Sequence, residues 1–521
     1  MITADRKVIP PCSRMFDTAT VIFLVAALFF LYCFLFIPPF LPIDHSGDYV
    51  IFITSAKRMY EGEVMYRDFF EFLTPGTPFF FCCLFKVFGP RLWIPNLVLL
   101  LLGVSLALTT LFIAKKLMRP EIAFLPSAIF LARVYKNYLD PTHHWFSLLG
   151  AMAAIAVLVD RRTPVRIAAA GFVCGLTAWF TQSRGLAVTV GLGVFLCWEA
   201  WKKRDGWREW LRKEAWLAGS FLATLVASNA YFAWNAGPTR FLWCTVVFVI
   251  RYWPKFSARS PLLAFVQNLP DHRSLVSLHY ASVERVFIYA VIPVIYILFF
   301  VRYRQRSRKM PTEFWERPML LAIVGSFMLL SSAPTPSPFR LTVSELPGIL
   351  LLGWFIDSPR KAARVLVPLL TAGMLLVGAH ALMKAQPKEM EILATPQGTL
   401  AVTDREAYEE YTWVQQHTQP LEYFFAVNTN IYFYLNLRDP IPAAEITNSA
   451  YTTPGQVADA IRDLRQHHPR YIMWSPEYLD NFTKWQDPSE DHLGPYRDFL
   501  RAHYRVNKVF PNSNVVWERR D

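Results

Sequence analysis

The sequence predicts an α-helical polytopic membrane protein of about eleven spans, followed by a soluble α/β domain at its C-terminal end. Three observations predict it. The 521 residues are 54% hydrophobic and only 18% charged, with a mean hydropathy of +0.25, whereas a soluble chain is about a quarter charged. The apolar residues collect in blocks, most of them near the length that crosses about 30 Å of hydrocarbon. Lys and Arg gather in short clusters between alternate blocks, as the positive-inside rule requires.

The first block, 18–40, follows Arg6, Lys7 and Arg14, which places the N-terminus in the cytoplasm and the segment 43–91 outside. It is too long for a signal-peptide core and lacks a small-residue cleavage site, so it is expected to remain as a span. Block 92–114 returns to Lys115, Lys116 and Arg119. Blocks 121–136 and 145–159 cross out to Asp140–Trp145 and back to Arg161, Arg162 and Arg166. Blocks 166–181 and 185–200 repeat this around Gln182–Gly185 and end on 201–214, which carries six Lys/Arg. Block 215–235 leads to a long outer loop, 236–283, and 284–301 returns to 302–317, again with six. Blocks 318–333 and 341–356 flank a Ser/Pro-rich turn, 331–340. After Arg360, Lys361 and Arg364, block 363–383 exports everything beyond 385. The three short outer turns hold one cation each: Lys136, Arg184 and Arg340.

The run 78–89 (PFFFCCLFKVFG) is apolar but too short to cross. Counting it as a span would reverse every later loop, so it reads as an interfacial or re-entrant helix on the outer leaflet. The expected domains are therefore 1–384 in the membrane and 385–521 outside. In the tail, 404–416 reads as a helix capped by Asp404, 422–427 as a strand, 454–467 as a helix and 470–474 as a strand. Residues 495–504 then read as a helix, and 505–510 and 514–518 as strands, an alternation that suits a small α/β domain. A lone Asn481-Phe482-Thr483 sequon lies there too.

The net charge of +13 is accounted for by the topology clusters and does not call for a nucleic-acid partner. The seven cysteines make no CxxC pair and no metal-ligand spacing, and all precede the tail, so they read as small apolar fillers. A transporter tends to bury ionisable residues mid-span in broken helices related by repeats. Here the acids lie at span ends, which favours an enzyme over a transporter or flippase of lipid-linked sugars, or a non-catalytic assembly factor.

The first outer loop reads Ile43-Asp44-His45-Ser46-Gly47-Asp48-Tyr49, then a helix-like run with Ala56-Lys57-Arg58-Met59, then Gly62-Glu63, Tyr66, Arg67, Asp68 and a Pro-rich turn. This order resembles the first outer loop of GT-C membrane glycosyltransferases. The likeness is greatest to glycosyltransferase family 39, which includes protein O-mannosyltransferases and bacterial aminoarabinose transferases. Aligning Ala56–Met59 with that family's loop helix puts Asp48 on its catalytic acid, and Asp140 is similar to its second outer acid. Gly175-Leu176 with Thr181-Gln182-Ser183-Arg184-Gly185 resembles its Gly-Leu…Thr-Lys-Gly turn, with Arg in place of Lys. Arg340 followed by Pro347 resembles its entry to a late span. Trp413–Thr418, Asn430–Leu435 and Pro469–Ile472 resemble the exported domain of bacterial members. The run Leu73–Pro78 departs from the pattern in lacking Lys, and Tyr49 stands where an acid often follows the catalytic one.

The resemblance implies a bacterial inner-membrane enzyme that transfers a sugar, with inversion, from a polyprenyl-phosphate donor to a lipid, glycan or protein acceptor on the outer face. Phosphate is already a good leaving group, so the chemistry asks for a carboxylate base and for cations at the departing phosphate. Asp48 and Asp140 are the candidate catalytic acids. Arg184 and Arg340 are candidate phosphate ligands, since guanidinium holds phosphate bidentately. Asp44, Tyr66, Arg67, Asp68, His143, His144 and Glu345 are further candidates for substrate contact. No metal ligands are assigned, and a divalent metal is left open as a cofactor. Each residue also has a plainer reading. Asp48 suits the N-cap of the helix that follows, and Asp44 suits a solvated loop acid. Asp140 before Pro141 suits a turn, Tyr66–Asp68 a surface turn, and Glu345 a partner for Arg340.

Overall fold

Each apolar block carries helix in the computed structural model, which describes residues 17–45, 47–257, 287–332, 338–357, 360–427, 430–443, 446–447, 452–474 and 491–520. Arg6, Lys7 and Arg14, the second half of the loop 236–283, the start of block 284–301, the middle of the Ser/Pro-rich turn and the sequon lie outside the described residues. Helix α1 (Thr18–Leu35) is apolar on all sides, as suits a helix facing hydrocarbon. It stops short of the expected limit at 40 because Pro38 and Pro39 have no N–H to extend the ladder. A small antiparallel hairpin of β1 (Phe36–Ile37) and β2 (Leu41–Pro42) takes over, with a cis bond between the two prolines.

The loop that follows contains α2 (Tyr49–Tyr60) and α3 (Gly76–Phe88), the latter covering the short apolar run 78–89. Then come α4 (Trp93–Leu117) and α5 (Pro120–Ile129). Pro126 inside α5 removes a ladder bond, and the helix continues as a π turn (Phe130–Val134) and a 3-10 turn (Tyr135–Asn137). Next are α6 (His143–Leu158), α7 (Pro164–Phe180), α8 (Gln182–Lys203), α9 (Trp207–Ala236), α10 (Pro238–Leu242) and α11 (Phe248–Ser257). The membrane part ends with α12 (Ile292–Arg306), α13 (Thr312–Ser331), α14 (Pro338–Thr342), α15 (Leu346–Asp357) and α16 (Arg360–Met383). Among the described residues, six helices are long and apolar enough to cross a membrane: α1, α4, α8, α9, α13 and the Val365–Met383 part of α16. The block 341–356 is not one helix. It breaks between α14 and α15, where the hydroxyls of Ser332 and Ser344 donate to the carbonyl of Arg340 at 3.1 and 3.2 Å. Pro347 suits the first turn of the restarted helix.

Two compact units emerge, and each is described by itself. The first comprises Met1–Phe34, Val98–Ser228 and Ser260–Gln386. Its helices approach closely where small residues allow it. A side chain at Gly150 would meet Thr177 Oγ1 at 2.2 Å, and one at Gly185 would meet the backbone of Ala178 at 2.2 Å. Its acids pair with the cation clusters: buried Glu199 and Glu316 with Arg162 and Lys203, half-buried Asp160 with Lys116 and Arg317, and buried Asp357 with Arg119.

The second unit joins three stretches, Leu35–Leu97, Asn229–Arg259 and Pro387–Asp521. Its tail opens with a hairpin, β3 (Glu391–Thr395) and β4 (Gly398–Val402), that the sequence reading did not anticipate. Helix α17 (Arg405–His417) is capped by Asp404, whose carboxylate accepts from the N–H groups of Glu406 and Ala407. After β5 (Phe425–Ala426), which is shorter than the expected 422–427, come α18 (Ile431–Tyr434) and α19 (Pro454–His467). Thr453 and Gln456 form a reciprocal capping box on α19. Strand β6 (Tyr471–Trp474), helix α20 (Gly494–His503), β7 (Tyr504–Val509) and β8 (Val515–Arg519) complete it. The sheet order is β5-β6-β8-β7, with β5 parallel to β6 and the other pairs antiparallel. Phe425, Ile441, Val457, Leu464, Trp474 and Tyr496 are among its core.

Within this unit the loop helix α2 is fastened to the stretch 437–441. Lys57 donates to Glu61 at 2.5 Å and to the carbonyl of Leu437 at 2.8 Å. Arg58 donates to Glu63 and to the carbonyl of Ile441, both at 2.8 Å, and its guanidinium lies 3.6 Å from Asp439.

Candidate functional site

The candidates fall into two groups, one in each unit. In the first unit they gather at the head of α6. Thr142 caps this helix by accepting from the N–H of His144 at 3.4 Å, and its own N–H donates to the carbonyl of Asp140 at 2.7 Å. Asp140 is 9% exposed and sits in the tight turn that feeds the helix. The rings of His143 and His144 meet through their Nε2 atoms at 3.2 Å. One of those nitrogens must carry a hydrogen and the other accept it. Trp145 anchors the same turn by donating its indole N–H to the carbonyl of Tyr138 at 3.0 Å.

Arg184 comes to this turn from the start of α8. The close packing of Gly185 on α7 brings the chain in, and Thr181 donates its hydroxyl to the carbonyl of His143 at 3.3 Å. Arg184 is 3% exposed. One Nη donates to the carbonyl of His144 and to Ser147 Oγ, both at 3.3 Å, while its Nε has no acceptor among the described residues. Among the described residues no carboxylate pairs with it. Arg340 reaches the same region from α14. Its neighbour Phe339 packs on the rings of Tyr138, His144 and Trp145 at 5.1, 5.0 and 5.7 Å. The positive fields of Arg184 and Arg340 act on both histidines and on each other. Asp140, His143, His144, Arg184 and Arg340 thus share one neighbourhood. Glu345 is 1% exposed at the head of α15, and its charge acts on the phenol of Tyr296.

In the second unit the residues lie around α2. Asp48 is exposed at the N-cap position, and its side chain makes no cap hydrogen bond. Asp44 is half-buried and accepts from the hydroxyl of Tyr434 at 2.5 Å. Burial pushes its carboxyl up to about 6, with the nearby charge of Asp404 adding and the Tyr434 hydroxyl opposing. Tyr66 is fully buried with a φ of 70°. It packs on Phe232 and Phe241, and its hydroxyl donates to the carbonyl of Leu73 at 2.5 Å. Arg67 is exposed and pairs with Asp68 at 2.8 Å, while Asp68 accepts from the N–H of Val64. Tyr66 to Asp68 thus form a turn whose polar groups are engaged within the loop. Tyr434 and Ser147 are contacts that sequence reasoning did not single out. The motif Asn430–Leu435 was visible, but nothing in it said which acid it would meet. Among the described residues, no three His, Cys, Asp or Glu side chains come together in a way that would hold a metal ion.

The fold is that of GT-C membrane glycosyltransferases. Three solved structures are similar to the chain over nearly its whole length. The archaeal oligosaccharyltransferase AglB from Archaeoglobus fulgidus, in complex with an inhibitory peptide and a dolichol-phosphate, is 12% identical, with 97% of this chain and 74% of that one covered at a TM-score of 0.51. The aminoarabinose transferase ArnT from Cupriavidus metallidurans, in its apo state, is 13% identical, with 96% and 98% covered at 0.56. The arabinofuranosyltransferase AftD from Mycobacteria is 11% identical, with 98% of this chain but 40% of that one covered at 0.53. At these identities the likeness is one of fold. No protein-family profile and no curated sequence relative matches the chain.

Proposed function

We propose that the chain is a membrane glycosyltransferase that moves a sugar from a polyprenyl-phosphate donor to a hydroxyl of a lipid, glycan or protein acceptor, with inversion at the anomeric carbon. The reaction takes place on the extracytoplasmic face of a bacterial inner membrane, with the N-terminus inside and residues 385–521 outside. The observation that carries the reading is Arg184. A buried cation with an N–H that has no acceptor among the described residues is costly unless an anion completes it. A lipid phosphate at a span end supplies that anion, and a planar guanidinium suits it. The fold adds support, since AglB was solved with a dolichol-phosphate.

The acceptor oxygen attacks the anomeric carbon while its proton passes to a carboxylate. The bond from that carbon to the phosphate oxygen breaks, and both electrons leave on the polyprenyl phosphate. Asp48 is the proposed base, and Asp140 is the alternative acid. Arg184 and Arg340 stabilise the charge that grows on the departing phosphate, with His143 and His144 completing the donor contacts. Asp44 and Glu345 remain proposed substrate contacts. So do Tyr66, Arg67 and Asp68, which act through the shape of their turn.

The test incubates purified protein with a panel of polyprenyl-phosphate sugars and follows acceptor-dependent release of polyprenyl phosphate. Release with one donor, lost in Arg184→Gln, supports the reading. Donor binding with no release under any acceptor would overturn the enzyme and leave a transporter of lipid-linked sugars.

A further inference from the structure

The first loop holds a second acid whose surroundings differ from those of Asp48. Asp44 lies between β2 and α2, and its N–H donates to the carbonyl of Ala401 at 2.8 Å, tying the loop to β4. Its carboxylate accepts from the hydroxyl of Tyr434 at 2.5 Å, with the side-chain amide of Asn430 at 3.5 Å. An ionised carboxylate can only accept, so Tyr434 donates. The hydroxyl of Tyr49, 2.8 Å from that of Tyr434, must then donate to Tyr434. The result is a directed chain, Tyr49 to Tyr434 to Asp44, in which residues from the first loop and the C-terminal stretch alternate. Both phenols are 3% exposed, while the acid at the end of the chain is half-buried and keeps access to solvent.

We propose that Tyr434 is a positioning residue: it holds Asp44 ionised and oriented to accept from a hydroxyl of the bound substrate other than the one that Asp48 deprotonates, so that 387–521 takes part in the reaction. The inference rests on the transferase reading above. The junction is fastened elsewhere as well, by Lys57 on Leu437 and Arg58 on Ile441. The Tyr434 hydroxyl is therefore more than the junction needs to stay together.

The electrostatics agree in sign. The groups facing Asp44 are Asp404, the phenols of Tyr49, Tyr411 and Tyr434, the amide of Asn430 and, next in the chain, the backbone N–H of His45. Among the described residues no cation is among the groups that shift it. Burial and Asp404 raise the carboxyl, and the Tyr434 hydroxyl is the main group that lowers it. Removing that hydroxyl raises it further.

The experiment compares Tyr434→Phe, Tyr49→Phe, Asp44→Asn and Arg438→Gln with the parent protein in kcat/KM against pH. The acidic limb reports the ionisation that activity needs. It should move up by about half a pH unit or more in Tyr434→Phe and by less in Tyr49→Phe. It should stay in place in Arg438→Gln, which loosens the same junction through Glu61 at 3.8 Å. A limb unmoved in Tyr434→Phe, or moved equally in Arg438→Gln, overturns the proposal. If no donor is turned over at all, the transferase reading fails and thermal unfolding against pH still decides the link. A carboxyl raised in the folded state makes the folded protein lose stability as pH rises from about 3.8 to about 6. Asp44→Asn should remove that loss and Tyr434→Phe should carry it to higher pH. An unchanged profile in both overturns the link whatever the enzyme does.

Discussion

Two places in the molecule bury cations and treat them in opposite ways. In the first loop, Lys57 and Arg58 are each satisfied by the protein: a carboxylate and a backbone carbonyl for Lys57, two carboxylates and a carbonyl for Arg58. At the head of α8, Arg184 is as deeply buried, yet it has a carbonyl and a hydroxyl on one nitrogen, no carboxylate among the described residues, and an idle Nε. Desolvating a cation costs several kcal/mol unless partners replace the water. The loop cations recover that cost within the fold. Arg184 leaves it outstanding, and Arg340 adds a second positive charge nearby. The difference separates the cations that hold the fold from Arg184, which awaits an anion.

The largest expected effect breaks this comparison directly. Arg184→Gln should lower transfer by about 10²–10³-fold, the scale of losing a donor to developing charge. It should leave unfolding almost unchanged, because no intramolecular ion pair is lost. Thermal unfolding and single-turnover release measured on the same sample give both numbers. A large loss of stability with a modest loss of activity would make Arg184 a structural cation like Arg58.

Asp48→Asn comes next. Asn caps helices about as well as Asp and keeps a carbonyl oxygen of the same shape, so folding should change little. Turnover should fall by about 10²-fold if it takes the acceptor's proton. Near-normal turnover in Asp48→Asn alongside an inactive Asp44→Asn would pass the role of base to Asp44. Normal turnover in both would pass it to Asp140. Arg340→Lys is milder. It keeps the charge but loses the fork, so about tenfold in donor affinity is expected. A variant equal to the parent in a donor-binding titration would leave Arg340 only the task of shaping α14.

Much of the membrane fold was legible because hydrophobic length and charge position act on whole blocks of residues. The break within 341–356 was not, although Pro347 stood in view, because part of what meets it, the Ser332 hydroxyl on the Arg340 carbonyl, comes from the end of another helix and only after folding. The β3–β4 hairpin was missed for a related reason: Glu391–Thr395 has a short, weakly alternating pattern. Asp140, His143, His144, Arg184 and Arg340 could each be read at a span end, but that Arg184 would meet the His144 carbonyl and Phe339 the His144 ring could not. The Asp44–Tyr434 pair could not be read, since the two residues lie far apart in sequence and each alone resembles an ordinary loop residue.

The smallest expected effect tests the structural half of the comparison. Asp439 is almost fully buried, and burial pushes its carboxyl up to about 7 although Arg58 at 3.6 Å pulls it down. Raised in the folded state, Asp439 binds a proton there that it has already lost in the unfolded chain, so stability falls as pH rises from about 3.8 to about 7. Arg58→Met keeps the apolar contact with Phe69, over which the guanidinium lies at 4.5 Å, but removes the charge. The Asp439 carboxyl should then climb further and extend the falling limb to higher pH. The deficit of the variant should therefore be small at pH 5, where Asp439 is protonated with or without Arg58. It should grow by about 1 kcal/mol towards pH 8, where only the parent sets the Arg58 charge against the ionised form. Unfolding curves at the two pH values measure it. A deficit equal at both would mean that Arg58 stabilises the junction through Glu63 and Ile441 alone. Arg184→Gln, with no such carboxylate to lean on, should show no deficit that grows with pH.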